Sequence, residues 1–589
     1  MDLKMQTNAV KLVWSILDRR HNTTPIIPPY PHKTKFPEEG ALEQPFPRCT
    51  PEEQGISSHY VADFLDELQK ERGLDMHSIM ILRNGQVIAE GDFGAYRSDV
   101  WHVTHSLCKS ITGLAIGMMI DEKRLALDDK VVKLLERRAP ALASLTFKNV
   151  TVRHLLTMSS GVNFGEGGAV TEENWVKCYL ESIPRGEPDT DFAYNSMNSY
   201  ILGAIIKEIT GYGLTAYLKE RLWKPLGITK VYWERCPKGL EKGGWGLYMC
   251  PEDMAKIGQL YLQKGNWQGR QLVSEQWIKD ATTAQIATPQ SFGAYDYGYH
   301  IWVGREEKSF LLNGMFGQNI IGYPDKQLLL VTTAGNNAIF QRSSYFALAH
   351  RYFGAGFVPG EPLREDPGAQ KHLAKITQGL YRRPRGGKIM KFFSAEPLPK
   401  QCLILSGREY ELDRRQTMNV GVFPLLAQAL QNNYTTGLCE LGFDIEDNVF
   451  YITLAEKDQS FRLPVGFDTP QYADITVHGE PYKVGITGQF ATDEDDTPVL
   501  KLRLSFLELS NARLIKIFFY GERIRLGMSE MPDQRAPLGA LRLALKQNPN
   551  NKFIEALLSR VDDDYLVYKI ERALAPTVSG MLVPEPPDA

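Results

Sequence analysis

The spacing of hydrophobic residues predicts both helices and strands after residue 50. Residues 58–72 carry apolar side chains at the spacing of an amphipathic helix. Residues 78–91 form two apolar runs around Asn84-Gly85, and this dipeptide favours a tight hairpin because both positions accept a positive φ. Residues 105–124 are apolar on almost every side, which predicts a buried helix.

Helical patterns dominate from residue 125 to about residue 288, including 198–210 and 251–264. Strand-like runs then return at residues 295–302, 309–312 and 327–333. Strands, then a helical block, then strands again predict an α+β fold, in which one antiparallel sheet carries a helical insertion.

The C-terminal third has a different pattern. Residues 500–506 alternate strictly between apolar and polar side chains, as a half-buried antiparallel strand does. Further short strands are predicted at residues 449–454, 474–478, 514–519 and 523–528, and helical stretches follow near 536–546 and 552–573. We therefore expect a β-rich, barrel-like C-terminal domain with terminal helices.

Local composition predicts where the domains end. Residues 21–50 are rich in proline and lack periodicity, which indicates an extended arm, and residues 381–387 (YRRPRGG) are typical of a linker. The expected division is an N-terminal extended arm at residues 1–50, an α+β domain at 51–380, a linker at 381–390 and the β-rich domain at 391–589.

Overall composition and charge narrow the choice of partner. The 589 residues include 67 Lys+Arg and 70 Asp+Glu, for a net charge of -3, without a polybasic stripe. This argues against nucleic acid or a membrane surface as a partner and favours a small molecule. The N-terminal stretch has no cleavage site, so we interpret it as the start of an amphipathic helix and expect a cytoplasmic location. The seven scattered cysteines support neither disulfides nor a zinc knuckle, and a homo-oligomer is left open.

One serine in the chain has a candidate base at helical spacing. The sequence lacks H-E-x-x-H, Walker A, G-x-G-x-x-G and G-x-S-x-G motifs, but Ser106 is followed three residues later by Lys109, forming S-x-x-K. Positions i and i+3 share a helix face, so hydroxyl and amine can meet. Lysine serves as the base if burial lowers its pKa. In isolation, such a pair is more typical of an N-cap serine and a solvated lysine in the first turn of a helix.

The surrounding residues favour the catalytic interpretation. Residues 101–113 (WHVTHSLCKSITG) and 151–161 (TVRHLLTMSSG) are similar to the serine β-lactamase and penicillin-binding-protein superfamily. The resemblance covers roughly residues 75–350. It implies a β-lactamase-like serine hydrolase domain, with an antiparallel sheet flanked by helices and a helical subdomain.

A second motif lies at residues 192–203 (FAYNSMNSYILG), which resemble the class C and esterase-like branch. The resemblance implies that Tyr194 shares a proton with Lys109 and passes it to the leaving group. Ser196 stands where asparagine is usual, so Asn195 and Asn198 compete with it for contact with the substrate.

A third motif is altered. Residues 313–321 (NGMFGQNII) resemble the strand that carries Lys-Thr-Gly or His-x-Gly, but Met315 replaces the cation. The Gly-x-x-Gly-Gln form is similar to the 6-aminohexanoate-dimer hydrolase and esterase subgroup. It implies that Gly317 and Gln318 lie at the oxyanion hole, where the N–H of Gln318 would join that of Ser106. Two such glycines are equally typical of a bulge or bend.

These inferences together predict a serine hydrolase that needs no metal or cofactor. Ser106 would attack an ester or amide of a small molecule or short modified peptide, assisted by Lys109 and Tyr194. The other candidate residues for substrate or oxyanion binding are Ser196, Asn195, Gly317, Gln318, Trp245 and Tyr248, although aromatic residues at such spacing are often core. An acyltransferase with the same acyl-enzyme and a non-catalytic binding protein of the same fold are the alternatives.

Overall fold

The computed structural model describes residues 28–40, 43–140, 143–162, 164–182, 186–380, 398–413, 421–533 and 575–584. The expected N-terminal helix start, the linker at 381–390 and the helices near 536–546 and 552–573 lie outside the described residues. Residues 28–40 and 43–50 contain no helix or strand, apart from an isolated bridge between Arg48 and Val87, which fits the extended conformation expected there.

Twelve short strands lie in the described residues up to residue 334. They are β1 Met76–Arg83, β2 Gln86–Asp92, β3 His102–Val103, β4 Val231–Trp233, β5 Leu247–Met249, β6 Asn266–Trp267, β7 Arg270–Gln271, β8 Tyr295–Tyr297, β9 Trp302–Gly304, β10 Phe310–Gly314, β11 Gln318–Tyr323 and β12 Leu328–Ala334. Seven form one antiparallel sheet in the order β2-β1-β12-β11-β10-β9-β8, and β3-β5-β4 form a smaller one. The predicted hairpin is present, with Asn84 and Gly85 at φ 52 and 72.

Helices cover this sheet and fill the segment between β2 and β8. They are α1 Ser58–Lys70, α2 Cys108–Asp121, α3 Val131–Leu134, α4 Ala143–Thr146, α5 Val152–Leu156, α6 Glu166–Ala169, α7 Trp175–Glu181, α8 Ser196–Thr210, α9 Leu214–Leu218, α10 Pro251–Leu262, α11 Glu275–Ala281, α12 Ser344–Phe353 and α13 Pro367–Leu380. Helix α2 is buried along nearly its whole length, as predicted. Gly117 permits its close packing, because an added Cβ would lie 2.5 Å from the Trp277 ring. No helix among the described residues is long and apolar enough to cross a membrane.

The C-terminal part forms a ten-stranded antiparallel sheet with two helices. The helices are α14 Lys400–Leu405 and α15 Leu425–Gln431, and the strands are β13 Glu409–Leu412, β14 Leu438–Glu446, β15 Val449–Glu456, β16 Ser460–Val465, β17 Gln471–Val477, β18 Glu480–Thr492, β19 Pro498–Phe506, β20 Ala512–Tyr520, β21 Arg523–Met531 and β22 Thr577–Leu582. Their order is β16-β15-β14-β13-β22-β21-β20-β19-β18-β17.

This sheet curls until its two ends meet, so we call it the barrel. Just after β16, the carbonyl of Gly466 accepts a 2.7 Å hydrogen bond from Gly488 of β18. Leu500, Leu502 and Leu504 point into the interior, as their alternation predicts. The α+β fold with an additional barrel-like sheet is thus confirmed.

The barrel and the smaller sheet share a core. Trp101, Val103 and Tyr248 pack in the same hydrophobic cluster as the barrel interior. The loop between β19 and β20, residues 507–511, reaches back to this contact: the carbonyl of Glu508 accepts a 2.9 Å hydrogen bond from Val103 N–H. The barrel is therefore packed against the segment that leads into the S-x-x-K motif.

Candidate active site

Ser106 and Lys109 meet where a short helical turn enters α2. Ser106 lies in a 3₁₀ turn, His105–Leu107, and Lys109 lies in the first turn of α2. The Lys109 Nζ donates hydrogen bonds to Ser106 Oγ at 2.8 Å and to the Gly244 carbonyl at 2.7 Å. Lys109 is only 1% exposed, so it is not the solvated surface lysine of the alternative interpretation.

Burial changes the acidity of this lysine. Desolvation lowers the pKa of Lys109 to about 8, and the negative charge of Glu166 opposes that shift. A lysine in this range is partly neutral near pH 7, and only the neutral amine can accept a proton from a serine hydroxyl. Burial raises the pKa of the neighbouring Cys108 thiol to about 12, which keeps it protonated and inert.

Tyr194 lies beside Ser106 and Lys109. The Lys109 Nζ lies 4.9 Å from the centre of the Tyr194 ring, and this ring stacks on Trp302 at 5.8 Å. Burial raises the pKa of the Tyr194 hydroxyl, and a hydrogen bond with Ser106 opposes the shift. The phenol therefore stays protonated and can donate a proton beside the serine.

The residue before the serine has an unusual backbone conformation. His105 has φ 47, in the left-handed region that side chains other than glycine rarely adopt. Its Nε2 lies 2.8 Å from Ser510 Oγ of the barrel, and its ring meets that of Phe316 at 5.7 Å. Burial and the charge of Lys109 lower the pKa of His105 to about 3, so the imidazole is neutral.

The side chains of two asparagines of the second motif form hydrogen bonds with other residues of the protein. Asn195 caps helix α8: its Oδ1 accepts from Met197 N–H, and its Nδ2 donates to the carbonyls of Val162 and Phe164. Asn198 is fully buried, and its Oδ1 accepts bonds from Ser160 and Tyr179.

Ser196 packs against Gly244, whose carbonyl binds Lys109. An added Cβ at Gly244, whose carbonyl binds Lys109, would lie 2.6 Å from the Ser196 carbonyl oxygen. Among the three residues considered for substrate contact, Ser196 is thus the one that packs directly against the Lys109 environment.

The third motif forms a turn, whereas a strand was predicted. Residues Met315–Gly317 separate β10 from β11, since Phe316 and Gly317 have φ 66 and 100 and cannot continue a strand. The alternative interpretation, a bend, is therefore correct. The turn lies against the nucleophile segment, because an added Cβ at Gly314 would lie 2.2 Å from the Thr104 carbonyl oxygen. The Gln318 side chain holds it in place, donating to Met315 and Ala334 carbonyls.

Comparison with known proteins identifies a family that matches part of the chain. Residues 61–340 match the family profile described as Beta-lactamase. These residues form a beta-lactamase domain. This match agrees with the resemblance that the sequence motifs implied, and this part of the chain has the fold of a hydrolase family.

Several named proteins are similar to part of this chain. The 6-aminohexanoate-dimer hydrolase of Paenarthrobacter ureafaciens is 24% identical over 304 residues, 46% of this chain and 76% of that protein. Protein flp of Staphylococcus aureus strain N315 is 28% identical over 167 residues, 26% of this chain and 33% of its own length. Among solved structures, a family VIII carboxylesterase has a TM-score of 0.40 at 17% identity, covering 56% of this chain and 98% of that chain.

The two aromatic residues that were predicted as candidates for substrate binding, Trp245 and Tyr248, lie in different surroundings. Trp245 stacks on Trp175 at 5.6 Å and is mostly buried. Tyr248 is completely buried beside the barrel, where its hydroxyl donates to Glu234 and accepts from Gln431. Tyr248 therefore belongs to the contact between the domain and the barrel.

No sequence motif pointed to His300, which packs against helix α2 near Lys109. Its Nε2 lies 2.8 Å from Ser199 Oγ, its Nδ1 2.9 Å from the Leu156 carbonyl, and its own carbonyl accepts from Ser110. Burial and the charge of Lys109 lower its pKa to about 3. His300 is thus a neutral core residue, and its left-handed φ of 58 splits the predicted strand at residues 295–302 into β8 and β9.

Within the described residues, the side chains near enough to share a metal ion are Glu456, Asp458 and His478, whose ligand atoms lie within 4.8 Å of one another. They belong to the barrel. His478 contacts Asp458 and Asn433 at hydrogen-bonding distance, and Glu456 accepts from Val422 N–H. Protein contacts account for these groups without an ion.

Proposed function

We propose that this protein is a serine hydrolase that cleaves an ester or amide bond of a small molecule or modified peptide through an acyl-enzyme on Ser106. The observation that carries the proposal is the 2.8 Å contact between the buried Lys109 Nζ and Ser106 Oγ. A serine hydroxyl is a weak nucleophile until an adjacent base accepts its proton. Lys109, with a pKa of about 8, supplies that base.

The reaction proceeds in two halves. Neutral Lys109 accepts the Ser106 proton as Oγ bonds to the carbonyl carbon, and the backbone N–H groups of Ser106 and Gln318 stabilise the oxyanion. Lys109 then returns the proton, through Tyr194, to the leaving oxygen or nitrogen as its bond to carbon breaks, which forms the acyl-enzyme. A water molecule adds to the acyl carbon as Lys109 accepts its proton, and that proton returns to Ser106 Oγ as the bond between Oγ and the acyl carbon breaks and the acid leaves.

Two features support the substrate class. The nucleophile is recessed, since Ser106 is only 8% exposed, which suits a small or extended substrate. The relative from Paenarthrobacter ureafaciens is named a hydrolase of a 6-aminohexanoate dimer, a small molecule. The turn that replaces the third motif has Met315 in place of the cation, which disfavours substrates that need a charged partner at that position.

Labelling with a fluorophosphonate probe tests the proposal. The wild-type protein should become labelled stoichiometrically, and mass spectrometry of its peptides should place the adduct on Ser106. Ser106→Ala should abolish both labelling and the hydrolysis of p-nitrophenyl esters. Ser110→Ala is the matched control, because Ser110 lies in helix α2, four residues after Ser106, but donates its hydroxyl to the His300 carbonyl. Full labelling of Ser106→Ala would refute the proposal.

A further inference from the structure

The loop of residues 507–511 connects the barrel to the segment that precedes the nucleophile. Glu508 accepts the Val103 N–H at 2.9 Å, and Ser510 Oγ lies 2.8 Å from His105 Nε2. The Ser510 carbonyl fits against Gly335 at the end of β12, where an added Cβ would lie 2.4 Å from it. One barrel loop thus contacts both the nucleophile segment and the sheet behind it.

Contacts of Glu508 fix this loop in position. Its carboxylate accepts the Trp101 indole N–H, pairs with the buried Lys33 Nζ at 2.6 Å and accepts Lys483 N–H at 3.0 Å. Both members of the Lys33–Glu508 pair are nearly inaccessible to solvent. A buried ion pair with further hydrogen bonds restricts its members to one geometry, so the loop presents Ser510 at a defined place.

His105 needs such a partner. A left-handed φ at a residue other than glycine is strained and persists only where the surroundings hold it. Ser510 Oγ also lies 3.3 Å from Asn511 Oδ1, to which it donates, so it accepts the proton of His105 Nε2. The neutral imidazole is anchored at the end of a hydrogen-bonded chain that begins in the barrel.

We propose that Ser510 is a positioning residue for the reaction: it holds His105 in the left-handed conformation that directs Ser106 Oγ towards Lys109. The inference rests on the proposed function, because it concerns the geometry of the same nucleophile. Ser510 acts through His105 and not on the substrate. The barrel then contributes to the rate of acylation itself, whichever ester is bound.

Acylation rates of Ser510→Ala test this role in the full chain. A displacement of about 1 Å in a catalytic group can cost 100-fold in rate, so we expect acylation to fall roughly 10- to 100-fold. The fall should be equal for p-nitrophenyl acetate and p-nitrophenyl butyrate, with KM unchanged within about twofold. Ser510→Thr, which keeps the hydroxyl, should restore most of the rate.

Ser505→Ala is the matched control. Ser505 is a buried serine of the neighbouring strand β19, but its hydroxyl accepts from Arg503. We expect wild-type acylation from it. If Ser510→Ala does not fold, as judged by its thermal transition, Ser510→Cys replaces it under the same criteria, because it keeps the volume and weakens the hydrogen bond.

Three outcomes would overturn the inference: wild-type acylation by the Ser510 variant, an equal loss in Ser505→Ala, or a loss confined to the larger ester, which would indicate a role in substrate choice. Failure of the proposed function itself is distinguished by Ser106→Ala. If that variant still hydrolyses the esters, the nucleophile is wrong. If it is inactive while Ser510→Ala acylates normally, only the positioning role is wrong.

Discussion

The acidity of Lys109 gives a quantitative prediction. Acylation requires the neutral amine, so kcat/KM should rise with pH and level off above the lysine pKa of the free enzyme, about 8. Glu166 opposes the fall of this pKa. Replacing it by glutamine removes the negative charge, so Glu166→Gln should move the midpoint of the rise to lower pH.

The size of the effect follows from the two pKa values. With the ordinary lysine pKa of 10.5, about 0.03% of the side chain is neutral at pH 7, whereas a pKa of about 8 leaves about 10% neutral. Burial thus increases the concentration of active base about 300-fold at pH 7. The enzyme should therefore retain roughly a tenth of its limiting rate at neutral pH.

Pre-steady-state acylation by p-nitrophenyl acetate, measured from pH 6 to 10, tests this reasoning. Buffer and ester hydrolysis without enzyme are subtracted at each pH. Glu173→Gln serves as the matched control, because Glu173 is exposed and pairs with Lys238 on the surface, so its midpoint should equal that of wild type. A rate independent of pH, a midpoint near 10, or a Glu166→Gln midpoint above that of wild type would refute the reasoning.

Three further predictions concern single side chains. Tyr194→Phe keeps the ring beside Lys109 but removes the hydroxyl that donates the proton, so kcat should fall about 100-fold or more. An unchanged kcat would exclude the role assigned to Tyr194. Gly317→Ala should lower kcat/KM at least about tenfold. An L residue is strained at φ 100, and the added Cβ would lie 2.5 Å from Asn336 Nδ2. Wild-type kinetics would contradict this prediction. Lys256→Met should lower the free energy of unfolding by about 3–5 kcal/mol, because it leaves the buried Asp253 carboxylate without its 2.8 Å partner. Denaturant unfolding measures that loss, and the double variant with Asp253→Leu should recover most of it; a single-variant loss below about 1 kcal/mol would contradict the prediction.

Local features of the sequence were sufficient for part of the fold. Asn84-Gly85 predicted its hairpin because the turn type depends on two adjacent residues, and 500–506 predicted β19 because alternation is a property of one strand. The long strand β18 was missed. Gly485 and Gly488 interrupt its alternation, and their lack of a side chain makes room for Ala95 and Val465.

The candidate site, like the fold, was predicted from the sequence only where the contacts are local. Ser106 and Lys109 were predicted together because helical geometry joins positions three residues apart, and the structure places their side chains at 2.8 Å. Ser510 could not be found this way, because its contact with His105 spans 405 residues and no local pattern records it. The turn at residues 315–317 was mistaken for a strand, because the left-handed φ of Phe316 is imposed by its packing rather than by its residue type.

The contact between His105 and Ser510 also has a consequence for biosynthesis. A chain emerging from the ribosome exposes the nucleophile segment long before the barrel loop that holds it. At about 5–20 residues per second, the 405 residues between them take roughly 20–80 s to synthesise. During that interval the beta-lactamase domain can begin to fold, but its serine lacks the support of Ser510. We therefore expect nascent chains to gain full reactivity only once the barrel has closed, so that the hydrolase matures as a late step of its own synthesis.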